Sequence, residues 1–321
     1  MGEFELIRRF FDRAAPPAPG VALGIGDDCA LLLPQPGQQL AVSTDMLVEG
    51  RHFLATVDPA ALGHKALAVN LSDLAAMGAE PLGFTLALAL PQADEAWLAG
   101  FAQGLFALSD AAGCPLVGGD TTRGPLNLCL TVMGQVPPGQ ALRRAAARAG
   151  DDIWVSGTLG DARLALEVFR GGATLDGAAF NRVRARMERP TPRLALGLAL
   201  RGVAHAAADI SDGLAGDLGH ILNASGVGAT LWAEALLHTT STDLRGQGDS
   251  LALAYALTGG DDYELVFTAP VAQREAVAQA AARTGVAVTR VGQIEATPGL
   301  RVLDTQGRPM ALQGRAFDHF A

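Results

Sequence analysis

The sequence has few cysteines and no long apolar run, and both absences limit the class of protein. Its three cysteines are odd in number, far apart and without a CxxC pair, so neither a disulfide framework nor a structural zinc site is indicated. The longest apolar run, residues 82–90, is well short of the roughly 18–20 residues that a membrane helix needs. Acids and arginines occupy the N-terminus where a signal peptide would have its apolar segment. These absences predict a cytoplasmic protein that does not span a membrane.

Lysine is nearly absent as well, and this excludes several nucleotide-binding motifs. Lys65 is the only lysine, and it is followed by Ala66 where the P-loop pattern GxxxxGK[ST] requires serine or threonine. The strand lysine and the HRD and DFG elements of protein kinases are also missing. The net charge of −9 argues against nucleic acid as a partner. The positive charge that balances a phosphate ligand must therefore come from arginine or from a metal ion.

Length and composition predict two folded domains. The chain of 321 residues exceeds the roughly 250–300 residues at which a single hydrophobic core stops growing. Hydrophobic residues make up 49% of it and charged residues 18%, which is typical of a compact folded protein. The pattern breaks at Pro137, Pro138 and Gly139, before an arginine-rich stretch. We therefore predict domains over residues 1–140 and 141–321.

Strand-like and helical segments alternate along both halves, which predicts an α/β or α+β architecture. The best-marked helix begins after Asp58 and Pro59, a typical N-cap and first residue, and ends at Gly78. The remaining segments are predicted as strands at 30–33, 40–44, 82–90, 126–135, 152–156, 229–232, 263–268 and 286–291, and as helices at 94–113, 177–188, 193–201, 211–223 and 271–284.

Aspartates recur beside glycine or serine at the ends of predicted strands. Crowded carboxylates repel one another unless a cation neutralises them, and Mg²⁺ takes oxygen ligands of this kind. Asp73 is unusual because it lies inside an apolar helix, where an isolated charge is costly. Each aspartate alone has an ordinary interpretation as a turn or a helix start, but six such strings together indicate a magnesium and phosphate site. The strings are Gly26-Asp27-Asp28, Ser43-Thr44-Asp45, Ser72-Asp73, Gly118-Gly119-Asp120, Asp209-Ile210-Ser211-Asp212 and Gly260-Asp261-Asp262.

Other site chemistries find no support in the sequence. The histidines form no HExxH pattern and no serine lies in GxSxG, so a covalent intermediate is not expected. The dinucleotide pattern GxGxxG is approached only at residues 24–29, where the last glycine is missing. Arg144 is a candidate phosphate clamp, although a solvated linker arginine explains its position equally well.

Six strings taken together resemble the thiamine-monophosphate kinase family. They occur in the family's order over nearly the whole chain: GIGDDCA, STDMLVEGRHF, NLSDLAAMGAEP, GGDTT, DISDGL and GGDDYEL. The family is similar to the wider aminoimidazole-ribonucleotide synthetase superfamily. The resemblance implies a two-domain fold with mixed sheets and helices packed on them. It also implies a homodimer formed through the N-terminal sheets, with ATP and several Mg²⁺ ions in the site.

The resemblance also implies a role for each matching residue. Asp45, Asp73, Asp120 and Asp212 would form the catalytic core. Asp261 stands where the family usually has glutamate, and Phe317 where it often has tryptophan, so the substrate contacts of both are open, and core packing is the alternative for Phe317. The implied magnesium ligands are Asp27 in support, Asp28, Ser43, Thr44, Asp45, Asp73, Asp120, Asp209 and Asp212; the implied ATP contacts are Gly119, Asp120, Arg144 and Ser211; the implied substrate contacts are His52, Asp261 and Phe317.

The activity implied is transfer of the γ-phosphoryl group of ATP to the phosphate of thiamine monophosphate. Two alternatives remain open. The first is an ATP-dependent synthetase of the same superfamily, against which the strings STDMLVEGRHF and DISDGL weigh. The second is a binding or regulatory protein that holds magnesium and nucleotide without turnover.

Overall fold

The computed structural model describes residues 2–13 and 19–310 of the chain. They divide into two compact units. Unit 1 runs from the N-terminus to Leu74, from Ala79 to Gly139 and from Glu188 to Pro190. Unit 2 takes Ala75–Gly78, Gln140–Met187 and the chain from Thr191 onward. Among the described residues, no helix is both long enough and apolar enough to cross a membrane.

Unit 1 is built on a four-stranded sheet in the order β3-β6-β4-β5, with β4 and β5 parallel and the other pairs antiparallel. A short pair, β1 with β2, lies outside it. A π-helical turn, Ile7–Phe11, follows the first helix. The strands are β1 (Val21–Leu23), β2 (Leu31–Leu32), β3 (Gln39–Val48), β4 (Glu80–Leu90), β5 (Leu116–Arg123) and β6 (Asn127–Val136); the helices are α1 (Glu3–Leu6), α2 (Pro59–Ala76) and α3 (Glu95–Ala112).

Helix α2 has the boundaries that the sequence predicts. The Asp58 carboxylate accepts a hydrogen bond from the Ala61 N–H at 3.0 Å, which satisfies one of the unpaired donors of the first turn. At the other end Gly78 adopts φ +61°, the left-handed conformation that terminates helices. Leu62, Leu67 and Leu71 are fully buried on different sides of the helix, so α2 lies in the core of unit 1.

The two faces of the sheet in unit 1 differ in burial. Side chains alternate along β3, and its register with β6 places Thr44 opposite Thr131 and Asp45 opposite Leu130. The face that carries Asp45 and Leu130 is the core face, because Leu130 is fully buried. The other face is open and apolar along β3, with Leu40, Val42, Met46 and Val48 exposed.

Unit 2 contains a seven-stranded mixed sheet in the order β13-β12-β9-β11-β7-β10-β8. Only the β12–β9 pair is parallel. Its core is aliphatic, with residues such as Ile153, Leu218 and Val266 fully buried. The strands are β7 (Asp152–Ser156), β8 (Ala206–Asp209), β9 (Gly228–Trp232), β10 (Leu265–Ala269), β11 (Val288–Glu295), β12 (Gly299–Leu303) and β13 (Pro309–Met310); the helices are α4 (Asp161–Phe169), α5 (Gly177–Glu188), α6 (Leu194–Ala199), α7 (Leu214–Ser225), α8 (Ala233–Leu237), α9 (Thr242–Arg245), α10 (Asp249–Thr258) and α11 (Arg274–Thr284).

The mixed α/β prediction is confirmed by this architecture. The expectation that the aspartates follow strand ends is wrong for two of them. Asp45 lies inside β3, which stays paired with β6 as far as Val48. Asp120 lies inside β5, a strand that the sequence pattern does not predict because two glycines interrupt it.

Candidate active site

The strings STD and NLSD meet on the core face of the sheet in unit 1. The Ser43 hydroxyl donates a hydrogen bond to the Asp73 carboxylate, with 2.5 Å between Oγ and Oδ2. The Asp45 N–H donates to Asn70 Oδ1 at 3.0 Å, and the Asn70 amide in turn donates to the Ala66 carbonyl. Asn70 and Asp73 are three residues apart on α2 and therefore share a helix face. The charge of Asp73 inside an apolar helix is explained by this contact with β3.

Thr44 is separated from its neighbours by the alternation of the strand. Its side chain lies on the open face, where its hydroxyl is 2.8 Å from the Thr131 hydroxyl. Ser43 and Asp45 point to the opposite face. A ligand set that includes Ser43 and Asp45 could therefore take only a backbone atom of Thr44.

A second group in unit 1 lines a cavity of about 860 Å³. The cavity brings together the strings GIGDDCA and GGDTT, which are far apart in sequence: Asp27, Asp28, Gly119 and Asp120 all border it. The Asp27 carboxylate accepts a hydrogen bond from the Asp28 N–H at 2.8 Å, which fixes the turn. Within residues 2–13 and 19–310, the carboxylates of Asp28 and Asp120 make no side-chain hydrogen bond or ion pair.

Gly119 is required where β5 passes β4. Its φ is +151°, and a Cβ at this position would lie 1.9 Å from the Leu86 carbonyl oxygen. Any larger residue would push β5 away from β4, and the cavity wall that carries Asp120 would move with it. Gly119 therefore sets the spacing of β4 and β5 at the wall of the cavity.

His52 follows the end of β3 in a tight turn. Its Nδ1 accepts a hydrogen bond from the Val48 N–H at 2.9 Å. In the neutral imidazole the ring proton is therefore on Nε2, which is a hydrogen-bond donor. This geometry suits the expected role of His52 as a donor to a substrate phosphate.

In unit 2 the loop after β8 carries Ser211 and Asp212, and a buried carboxylate holds it. Asp217 Oδ2 accepts hydrogen bonds from the N–H groups of Ser211 and Asp212 at 3.1 and 3.0 Å. Burial, and to a lesser extent the neighbouring Asp212 charge, raise the pKa of Asp217 to about 7 against the lowering effect of these hydrogen bonds. Asp217 is not among the residues predicted from the sequence, although an acid inside the apolar pattern of α7 is a signal for it.

Arg144 lies in the same part of unit 2. Its carbonyl accepts a hydrogen bond from the Ser225 hydroxyl at 2.7 Å, which ties the linker to the end of α7. The Arg144 guanidinium is close enough to Asp217 to lower the pKa of that carboxyl. The structure thus brings Arg144, Ser211 and Asp212, three residues expected at ATP or its metal ions, into one neighbourhood.

The string GGDDYEL packs directly against DISDGL. The Asp261 N–H donates to the Ser211 carbonyl at 2.7 Å, and the Tyr263 N–H donates to the Ile210 carbonyl at 2.9 Å. Asp261 and Tyr263 adopt positive φ values of 63° and 51°, which are uncommon for residues with side chains. Such strain occurs often at functional sites. Asp209, the first residue of DISDGL, is also next to GGDDYEL, because it pairs in the sheet with Leu265, the last residue of that string.

Two buried acids next to Asp261 anchor this strained loop. Asp262 Oδ1 accepts a hydrogen bond from the Gly160 N–H at 2.9 Å. Glu264 is fully buried and accepts hydrogen bonds from the Ser156 hydroxyl and from the guanidinium groups of Arg186 and Arg193. Both acids belong to the string GGDDYEL, but the sequence predicts no role for either, because their partners lie 70 or more residues away in the chain.

Asp262 gives a prediction for the pH dependence of stability. Burial raises the pKa of Asp262 well above 3.8, and its Oδ2 has no hydrogen-bond partner among the residues that the structure describes. A carboxyl group whose pKa is raised by folding contributes stability at pH values below its pKa in the unfolded chain. This contribution is lost as the pH rises through the pKa of the group in the folded protein. The variant Asp262→Asn has no group that titrates at this position. Its free energy of unfolding should therefore rise relative to that of wild type as the pH increases from 5 to 9, by at most about 1.4 kcal/mol per pH unit.

Urea unfolding of both proteins at pH 5, 7 and 9 checks this expectation. Asp249→Asn, a change at an exposed residue in the first turn of α10, is the matched control. Parallel pH profiles for wild type and Asp262→Asn would show that Asp262 is ionised in the folded protein.

The donors in unit 1 fit a hard divalent cation that is shared with a phosphate ligand. No group of three or more acidic, histidine or cysteine side chains in the described part of the chain forms a preassembled metal site. Mg²⁺ does not require one, since it commonly takes one or two carboxylates and completes its shell with water and substrate phosphates. Asp28 and Asp120 on the cavity, and Asp45 and Asp73 on the core face, offer such carboxylates. Phe317 lies outside the described residues.

Known proteins resemble this chain over nearly its whole length. Residues 26–136 match the family described as AIR synthase related protein, N-terminal domain, and residues 148–305 match its C-terminal domain. The thiamine-monophosphate kinases of Salmonella typhimurium and Escherichia coli K12 are each 48% identical to the chain, covering 100% of it and 98% of their own length.

Solved structures give the same result. The crystal structure of thiamine-monophosphate kinase from Stenotrophomonas maltophilia K279a is 50% identical, covers 88% of this chain and 91% of its own, and superposes with a TM-score of 0.83. The structure of AaThiL complexed with AMPPCP and TMP is 30% identical, covers 90% of this chain and 89% of its own, and has a TM-score of 0.78. A hydrogenase maturation protein, HypE, shares the fold at 20% identity. The chain belongs to the thiamine-monophosphate kinase family of AIR synthase related proteins.

Proposed function

We propose that this protein transfers the γ-phosphoryl group of ATP to thiamine monophosphate, giving thiamine diphosphate and ADP. The observation that carries the proposal is that the structure brings the family's acidic strings into contact in pairs. STD meets NLSD, GIGDDCA shares a cavity with GGDTT, and DISDGL is hydrogen-bonded to GGDDYEL. AaThiL, with 30% identity, has been solved with AMPPCP and TMP, which supports the same pair of reactants here.

The reaction requires two anions to approach each other, so the main work of the site is to reduce their repulsion and align them. The acceptor oxygen of a phosphate is already ionised, and the residues therefore need no general base. His52, with its proton on Nε2, donates a hydrogen bond to the substrate phosphate. Arg144 supplies a guanidinium to the phosphates of ATP, while Gly119 and Ser211 hold them through backbone and hydroxyl groups.

The acidic residues hold the metal ions that accompany ATP. When bound, magnesium neutralises charge on the phosphates and fixes their geometry. Asp261 faces the acceptor from a strained loop that Asp262 and Glu264 hold in place. Phe317 completes the substrate contacts. The residues proposed as metal ligands are Asp27 in support, Asp28, Ser43, Thr44 through its backbone, Asp45, Asp73, Asp120, Asp209 and Asp212.

One assay separates this function from the alternatives. ADP formation from ATP is measured with and without thiamine monophosphate, at varied magnesium. We expect ADP only when the acceptor is present, loss of the reaction after chelation, and recovery when magnesium is restored. Turnover with a formylglycinamidine or selenide acceptor instead would indicate a synthetase of the superfamily, and ATP binding without turnover on any acceptor would indicate a binding protein.

We also propose a homodimer in which the open face of β3 is covered. Leu40, Val42 and Met46 on this face are each more than half exposed, at 55%, 61% and 55%. Contiguous exposed apolar surface of this kind marks an interaction site, and the alternation of β3 places the three side chains in one row.

Val42→Glu should convert the dimer to a monomer, because it places a charge in an apolar interface. Sedimentation velocity measures the change. Val271→Glu is the matched control, since Val271 is also exposed, at 47%, but lies in unit 2. A wild-type protein that sediments as a monomer, or a Val42→Glu variant that remains a dimer, would refute this interface.

Each of the two domains has its own proposed role. We propose that residues 1–140 form the metal- and ATP-binding domain that also dimerises, and that residues 141–321 form the domain that completes the active site. We further propose that the protein acts in the cytoplasm.

A further inference from the structure

Three arginines near the N-terminus differ in what they contact. Arg9 forms an ion pair with Glu95 of α3 at 2.8 Å. Arg13 makes two hydrogen bonds to the Asp110 carboxylate and stacks over the Phe106 ring at 3.8 Å. Arg8 lines the cavity of unit 1 and, within the part of the chain that the structure describes, makes no hydrogen bond or ion pair.

The local backbone explains why adjacent arginines diverge. Ile7–Phe11 forms a π-helical turn, closed by a hydrogen bond of 2.8 Å from the Asp12 N–H to the Ile7 carbonyl. Such turns are rare and are found frequently at functional sites. Arg9 is held by α3, whereas Arg8 is left at the cavity wall with Ile7, Phe11 and Asp12.

The charge of the cavity defines the ligand that would suit Arg8. Asp12, Asp27, Asp28 and Asp120 line the cavity, and Arg8 is the only lysine or arginine among the described lining residues. The carboxylates favour a ligand that brings divalent cations, and a guanidinium favours phosphate oxygens. A cavity of about 860 Å³ is within the usual range for small-molecule and cofactor sites. A metal-bound polyphosphate brings divalent cations, has phosphate oxygens and is of a size that suits the cavity.

We propose that Arg8 binds a phosphate of the nucleotide in this cavity. The inference rests on the proposed function because it takes ATP as the occupant. An arginine fork matches two phosphate oxygens at once, and such charge-assisted bonds are about twice as strong as neutral ones.

The test measures nucleotide binding without an acceptor, so that it does not depend on turnover. The affinity for ATP in excess magnesium and the affinity for adenosine are measured for wild type, Arg8→Ala, Arg8→Lys and Arg9→Ala. We expect Arg8→Ala to weaken ATP binding about tenfold or more and to leave adenosine binding unchanged. Arg8→Lys should retain part of the affinity, because it keeps the charge but loses the fork. Arg9→Ala should bind as wild type, since its ion pair is about half exposed.

Two results would overturn the proposal. One is wild-type ATP affinity in Arg8→Ala, and the other is an equal loss for ATP and adenosine, which would indicate a change of cavity shape rather than a lost phosphate contact. If Arg8→Ala does not fold, as judged by its thermal melt, full ATP affinity in a folded Arg8→Lys variant would likewise contradict recognition by the guanidinium fork. A wild-type protein that binds ATP but does not phosphorylate thiamine monophosphate would refute the proposed function and leave the test of Arg8 intact.

Discussion

Asp73→Asn should lower kcat by roughly a thousandfold while the protein remains folded. The substitution removes one negative charge from the proposed metal ligands and keeps the shape of the side chain. The Ser43 hydroxyl, which donates to Asp73 Oδ2, can donate equally well to the asparagine oxygen. The fold should therefore lose little, whereas the transition state would lose a carboxylate that we propose as a magnesium ligand. Steady-state kinetics at saturating ATP and acceptor, together with thermal melts, measure the two effects separately.

A matched set of variants makes this test specific. Asp212→Asn should have a comparable effect from unit 2, because the hydrogen bond from the Asp212 N–H to Asp217 is made by the backbone and remains in the variant. Asp249→Asn changes the same atoms at an exposed position in the first turn of α10 and should leave kcat within a factor of two. Near-wild-type turnover in both Asp73→Asn and Asp212→Asn would refute the assignment of these acids to the metal site.

The sequence predicts those features of the fold that depend on local chemistry. The boundaries of α2 follow from Asp58, Pro59 and Gly78, because caps act within one turn of the helix. The strand β5 is missed, because two glycines have low strand propensity and the segment forms a strand only by pairing with β4. The separation of Thr44 from Ser43 and Asp45 also depends on strand formation. Adjacent residues of a strand point to opposite faces of the sheet, so the string Ser43-Thr44-Asp45 cannot place all three side chains in one site.

The candidate site is predictable to the extent that its residues occur in short strings. Asp73 stands out because its charge interrupts an apolar helix. Arg186 and Arg193 carry no such signal, because their importance comes from Glu264, a partner brought to them by tertiary packing. Arg8 differs from Arg9 and Arg13 because those two arginines have acidic partners in the structure. The sequence does not reveal these ion pairs, so it cannot distinguish Arg8 from its neighbours.

Glu264→Gln should give the largest loss of stability among the substitutions considered. Glu264 is fully buried, and both of its oxygens are used: Oε2 accepts from Ser156 at 2.6 Å and from Arg193 Nε at 2.6 Å, while Oε1 accepts from Arg186 at 2.7 Å. The variant would leave two guanidinium groups, 23% and 16% exposed, without a counter-charge. Breaking a buried pair in this way typically costs about 3–5 kcal/mol.

The measurement is a thermal melt together with urea unfolding, and we expect a Tm lower by roughly 10 °C. Glu95→Gln is the matched control; its ion pair with Arg9 is about half exposed and should contribute less than about 1 kcal/mol. Because Glu264 anchors the loop of Asp261, which we propose to contact the acceptor, the folded fraction of Glu264→Gln should also show a larger increase in the KM for the acceptor than in the KM for ATP. A double variant, Glu264→Gln with Arg193→Gln, should recover part of the lost stability, since it removes one of the two uncompensated charges. A Tm within 2 °C of wild type for Glu264→Gln would mean that the arginines find other partners and that Glu264 does not hold the loop.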